Sequence, residues 1–143
     1  KKKKINAAGG GGGGGTRGPG SGNTAYSGSV GGNTTVTNST LGIAITAKGG
    51  VAGNGDGTYS GPFSTGDSGG DVRQGMGGTG GASSGNFDIT GHDGRNGNLV
   101  TKFVSGSSVG GKTLTMSIGA GGAAASPDSP QDGAGGWVEI WTW

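Results

Sequence analysis

Cysteine is absent from these 143 residues, so neither disulfides nor thiolate metal sites can hold the chain together. Long apolar runs are missing too. No stretch approaches the ~20 residues of a membrane span, and membrane insertion is not expected. The basic N-terminal tail "KKKK" (1–4) runs into "INAAGGGG" without the apolar segment of a signal peptide. With no initiating Met, the chain reads as a processed product or a fragment. Net charge is only +2, from ten Lys and Arg against eight Asp and Glu, so the self-repulsion that favours disorder is lacking. Leu, Ile, Val and Phe together number only 20, which limits any conventional core to a small one.

What is present is glycine, at 41 of 143 residues. A collagen frame is excluded, because "GGGGGGG" at 9–15 and "GNGDG" at 53–57 break any period of three and proline is scarce. Glycine runs suit polyglycine II instead, a helix of three residues per turn with no internal hydrogen bonds. Such helices must bond to neighbouring helices, and a bare Cα lets backbones approach closely. Ordering them costs much backbone entropy, so their ends need fixing by something else.

Strand patterns supply the fixing. "TLGIAITAK" alternates Leu41, Ile43, Ile45 and Ala47 against Gly42, Ala44, Thr46 and Lys48. "KTLTMSIG" places Leu114, Met116 and Ile118 inward, and "WVEIWTW" places Val138 and Ile140 opposite Trp137, Trp141 and Trp143. "NLVTKFVS" is apolar in both phases, and "GNFDITG" sets Phe87 and Ile89 in one phase. Glycine is too frequent for any helix to persist. Between the strands lie glycine-rich excursions at 6–33, 49–85 and 119–136. The expected architecture is a single all-β domain over 1–143: a small sheet base with long glycine-rich excursions, partly polyglycine II. Its core is expected from Leu41, Ile43, Ile45, Leu114, Met116, Ile118, Val138 and Ile140. The Trp face is left to cover another sheet face, the base of the glycine lattice or a partner subunit.

The ordered blocks "INAAGGGGGGG", "STLGIAITAKGGVAGNGDG", "GKTLTMSIGAGGAAAS" and "GAGGWVEIWTW" resemble the glycine-rich C-terminal domains of bacteriophage tail fibres and distal tail adhesins. The strand–"IGAGG" and terminal "GGWVEIW" junctions carry most of the likeness. The resemblance implies a virion fibre-tip domain that binds an outer-membrane protein or surface polysaccharide of a bacterium. It also implies a partner in the remainder of the fibre, and leaves open a homotrimer or a monomer seated on a trimeric fibre. The chain departs from the family in having fewer clean glycine repeats and longer Ser/Thr/Asp-rich loops.

Chemistry-bearing motifs are weak. Asp56 in "GNGDG" and Asp67 and Asp71 in "GDSGGD" fit neither EF-hand nor calcium β-roll spacing, and read as turn residues. "GDSGG" echoes a serine-protease segment at Ser68, but His92 lies downstream where a trypsin-like order needs it upstream. The phosphate-loop pattern is unmet in "GVAGNGDG". Arg17, Arg73 and Arg95 are not interleaved with aromatics, so nucleic-acid binding is not expected. No catalysis, metal or cofactor is expected. The candidate binding residues are loop side chains: Tyr59, Phe63, Arg73, His92 and Arg95, with Tyr26 beside them. Arg and aromatics are favoured at binding hot spots, and rigidly supported loops concentrate recognition. A tip built from 58–74 with help from 91–97 is the expectation. Two other classes compete: an ice-binding polyglycine II bundle, for which "NTTVTNST" is the one Thr-rich run, and a structural glycine-rich protein.

Overall fold

The computed structural model describes residues 2–17, 25–55, 71–74, 84–85, 93–126 and 130–143. The chain is all-β. A four-stranded antiparallel sheet runs β10 (Trp137–Thr142), β1 (Lys2–Ala8), β8 (Leu99–Ser105), β6 (Val72–Gln74). A three-stranded antiparallel sheet runs β5 (Ile43–Ala47), β4 (Thr34–Asn38), β9 (Thr115–Ser117). These two sheets form the base. A third, small sheet runs β3 (Ala25–Tyr26), β2 (Thr16–Arg17), β7 (Ser84–Gly85). The turn from β4 to β5 is set locally: the Asn38 side chain accepts from the Leu41 N–H at 2.9 Å, and Gly42 takes the left-handed φ of 61° that ends the short 3₁₀ turn.

The core lies between the two base sheets, where Ile5, Ala7 and Val100 meet Val36, Ile43, Ile45 and Ala47. Period-two alternation explains it: Ile5 and Ala7 of β1 point inward, while Lys4 and Asn6 point outward beside Phe103 and Thr101. Full burial of Ile5, Val36, Ile45 and Val100 contributes roughly 1.5–3 kcal/mol each.

Several expectations need correcting. Lys2–Lys4, read as a charged tail, belong to β1, a strand flanked on both sides within its sheet. The expected core holds at Ile43 and Ile45, with Leu41, Leu114 and Val138 packed partly buried against it. Met116, Ile118 and Ile140 are instead 48%, 50% and 40% exposed. Met116 pairs directly with buried Val36 and Ile140 with buried Ile5, so both have the inward phase. They sit on β9 and β10, each at the end of its sheet's order, whereas the contacts between the sheets run through β4, β5, β1 and β8. "NTTVTNST" contributes β4, with Thr34 and Val36 buried, rather than an exposed regular face. The strand expected at 85–91 lies almost wholly outside the described residues.

Six glycine-rich segments continue from the base strands: 9–15, 28–33, 48–54, 93–98, 119–125 and 130–136. The first, Gly9–Gly15, is buried throughout and is bonded to all the others. Gly9 and Gly12 donate to Asn98 and Arg95, Gly10 and Gly13 to Gly32 and Ser29, and Gly11 and Gly14 to Ala134 and Gln131. Gly50 and Gly53 donate to the carbonyls of Gly10 and Gly13, and Gly122 and Ala125 to those of Gly11 and Gly14. Every partner recurs at an interval of three residues, the connectivity expected of polyglycine II. Segments 28–33, 93–98 and 130–136 run antiparallel to the central one; 48–54 and 119–125 run parallel to it.

Close approach is the reason for glycine here. A Cβ on Gly10 would lie 2.1 Å from the Ala120 carbonyl oxygen, and one on Gly12 2.1 Å from that of Val51. The outer segments show the same need every third residue, as at Gly94 and Gly97 against the carbonyls of Gly12 and Gly9. Backbone hydrogen bonds replace side-chain burial as the means of satisfying this interior.

Candidate functional site

Each glycine segment meets a base strand at one end. Segments 9–15, 48–54 and 119–125 leave β1, β5 and β9, while 28–33, 93–98 and 130–136 enter β4, β8 and β10. Their remote ends therefore share one side of the lattice. There Thr16 is buried in β2, Tyr26 is 39% exposed on β3, and Ser27 bridges Asn54. Gly55 donates to the Tyr26 carbonyl at 3.1 Å, closing this end. Residues Arg17, Ala25, Gly85, Asp93, Ser126 and Pro130, which flank undescribed connections, lie at it too.

Of the expected binding residues, Arg95 is exposed on segment 93–98, its N–H donating to Val51 and its carbonyl accepting from Gly12, both at 2.9 Å. Tyr59, Phe63 and His92 fall outside the described residues, as do Asp56, Asp67 and Ser68. Arg73 is not in a remote tip. Its backbone lies in β6, opposite Val100, so the chain has returned to the base by Asp71. Asp71 accepts from the Phe103 N–H at 2.7 Å and approaches the Lys102 ammonium at 3.9 Å, anchoring that return.

A second surface is the outer face of the four-stranded sheet. Trp137, Glu139 and Trp141 of β10 lie beside Ala8, Asn6 and Lys4 of β1, which lie beside Leu99, Thr101 and Phe103 of β8. Trp143 and Lys2 exchange backbone hydrogen bonds at the end of this array. At its centre Thr101 Oγ1 donates to Asn6 Oδ1 at 2.8 Å, and Asn6 Nδ2 donates to Glu139 Oε2 at 3.1 Å. A hydrogen bond from the Trp141 side chain, then that from Asn6, holds the Glu139 carboxyl below its usual range, with Lys4 adding to the effect against a desolvation that opposes it. The tryptophans are not enclosed by a further layer: Trp137, Trp141 and Trp143 are 38%, 55% and 57% exposed, and Phe103 50%. Phe103 was legible only as one of two phases in "NLVTKFVS".

The fold and its surfaces define an all-β scaffold with a hydrogen-bonded glycine lattice. Comparison with family models, with curated proteins and with solved structures found no match.

Proposed function

We propose that this chain is a receptor-binding tip domain of a bacteriophage tail fibre, acting by adhesion to a bacterial surface protein or polysaccharide, with no chemistry of its own. The resemblance of its glycine and strand blocks to tail-fibre and adhesin domains supports this reading. The observation that carries it is the arrangement of the lattice: six segments tied to base strands at one end and directed to one common end at the other. A support of this kind limits the ordering cost of binding by whatever it displays. Several copies on one particle would multiply weak contacts.

The binding residues in this reading are Tyr26 at the remote end and Arg95 on the flank of the lattice, level with Gly12 and Val51, with Tyr59, Phe63 and His92 from connections beyond the described residues. Arg73, located at the base, leaves the set. The test is binding of the labelled chain to intact bacteria and to strains lacking single surface receptors. Combined Tyr26→Ala, Tyr59→Ala, Phe63→Ala and Arg95→Ala should weaken binding by ~2 kcal/mol or more, as hot spots do, while Arg73→Ala leaves it unchanged. Full binding by the combined variant rejects the remote-end assignment. Failure of the parent chain to bind any bacterial surface rejects the function.

A further inference from the structure

We propose that the outer face of the four-stranded sheet is a separate binding surface for a hydroxyl-rich polysaccharide carrying carboxylates. The inference stands on the base sheet alone and does not rest on the remote-end reading. Four aromatic side chains, Trp137, Trp141, Trp143 and Phe103, are 38–57% exposed on this one face. Same-face neighbours along a strand stand about 7 Å apart, and neighbouring strands about 4.8 Å apart, so the rings form a broad platform. Exposed aromatic patches of this kind mark interaction sites.

The rows across the sheet say what fits. Trp141, Lys4 and Phe103 form one row, Glu139, Asn6 and Thr101 the next, and Trp137, Ala8 and Leu99 a third. Beyond the first, Lys2 stands between Trp143 and Ser105. Asn6 and Thr101 are buried, so the polar groups a ligand reaches among the rings are Glu139, Lys2 and Lys4. The core of a protein–protein interface is depleted in charge, with polar groups at the rim; here two lysines and a carboxylate sit among the rings. A sugar unit has the matching duality, an apolar C–H face for an indole and a hydroxyl rim for hydrogen bonds. Glu139 accepts from Asn6 yet, as a carboxylate with about four acceptor positions, can take a further hydroxyl. Lys2 and Lys4 supply charge-assisted bonds to carboxylates.

Charge decides against nucleic acid. A strand with a phosphate at every nucleotide would meet the Glu139 carboxylate in the middle of a platform with two cations, whereas tight nucleic-acid binding rests on neutralising many phosphates. At one end of the platform Lys2, Phe103, Val104, Ser105 and Trp143 line an open cleft of about 630 Å³. That volume is within the range of small-ligand sites. Its two rings, hydroxyl and ammonium suit one carboxylated sugar.

The probe is a hyaluronan octasaccharide, with a carboxylate on every second sugar, titrated calorimetrically into the full chain at low salt. Dextran and an oligothymidylate serve as comparators, and sedimentation reports self-association. Hyaluronan should bind more tightly than either comparator. Trp141→Ala should weaken it at least tenfold, Trp141→Phe should restore part of the loss by keeping a ring, and Lys4→Gln should weaken hyaluronan but not dextran. Both positions are outward-facing, so melting temperatures should shift little. Tyr26→Ala with Arg95→Ala should leave hyaluronan binding intact, which separates this surface from the remote end. Absence of hyaluronan binding, indifference to Trp141→Ala, tighter binding of the oligothymidylate, or self-association lost in Trp141→Ala would each overturn the proposal.

Discussion

Ile5 and Ile140 stand directly opposite each other across β1 and β10, yet Ile5 has no exposed surface and Ile140 keeps 40% of its own. Their phase is the same; their neighbours are not. β1 has strands on both sides and the second sheet above it, while β10 has β1 on one side only among the described residues. Ile5→Ala should therefore cost ~3 kcal/mol or more, as cavity formation in a core does. Ile140→Ala should cost under about 1 kcal/mol, and Ile140→Asp should remain folded because its carboxylate can reach water. Denaturant unfolding of the three variants checks this, and equal destabilisation by Ile5→Ala and Ile140→Ala would contradict it.

Glycine substitutions should separate by position. Gly10→Ala and Gly12→Ala would each place a methyl 2.1 Å from a backbone oxygen, so a neighbouring segment must move and its hydrogen bonds must break. Losses of several kcal/mol are expected, given the ~1 kcal/mol net value of each bond and the tight packing around them. Gly135→Ala meets nothing closer than 3.8 Å. With no steric penalty, that change should be neutral or add ~0.4–1 kcal/mol by restricting the unfolded chain. Thermal melts of the three proteins distinguish a packed lattice from a loose one.

Hydrogen exchange should follow the bonding. Gly9 through Gly14 each donate an N–H to a neighbouring segment at 2.8–3.1 Å from within a buried stretch. Their exchange should approach the rate set by global unfolding, despite a sequence that resembles a flexible linker. Exchange as fast as in a free glycine peptide would exclude the lattice.

Glu139 should titrate below the ordinary glutamate value of ~4.3. Its folded-state pKa is depressed, chiefly by the Trp141 and Asn6 hydrogen bonds, so its contribution to stability is present above the unfolded value and lost as pH falls through the folded one. Carboxyl NMR titration should show the shift, with the Trp141 indole N–H resonance moving in step. Asn6→Ala should raise the Glu139 pKa. A Glu139 titration at or above the ordinary value would mean that the hydrogen-bonded row does not persist in solution.

Alternation is local, so the sequence by itself determined the all-β class, the phases of 43–47 and 137–142, and the likeness between glycine content and a backbone-bonded interior. It also held the Gly-x-x-Gly intervals at 28–31, 94–97, 119–122 and 133–136, which became meaningful only when backbone carbonyls were found where each Cβ would be. Tertiary structure decided the rest, because burial belongs to neighbours and not to phase. It made Lys2–Lys4 part of an interior strand, left Met116, Ile118 and Ile140 in contact with solvent, and turned segment 93–98 into a lattice member. It brought Arg73 back to the base through an antiparallel pairing with Val100 that no local pattern around "VRQG" encodes. It also left the tryptophans of β10 facing solvent, since the second sheet packs against the opposite face of β1 and β8.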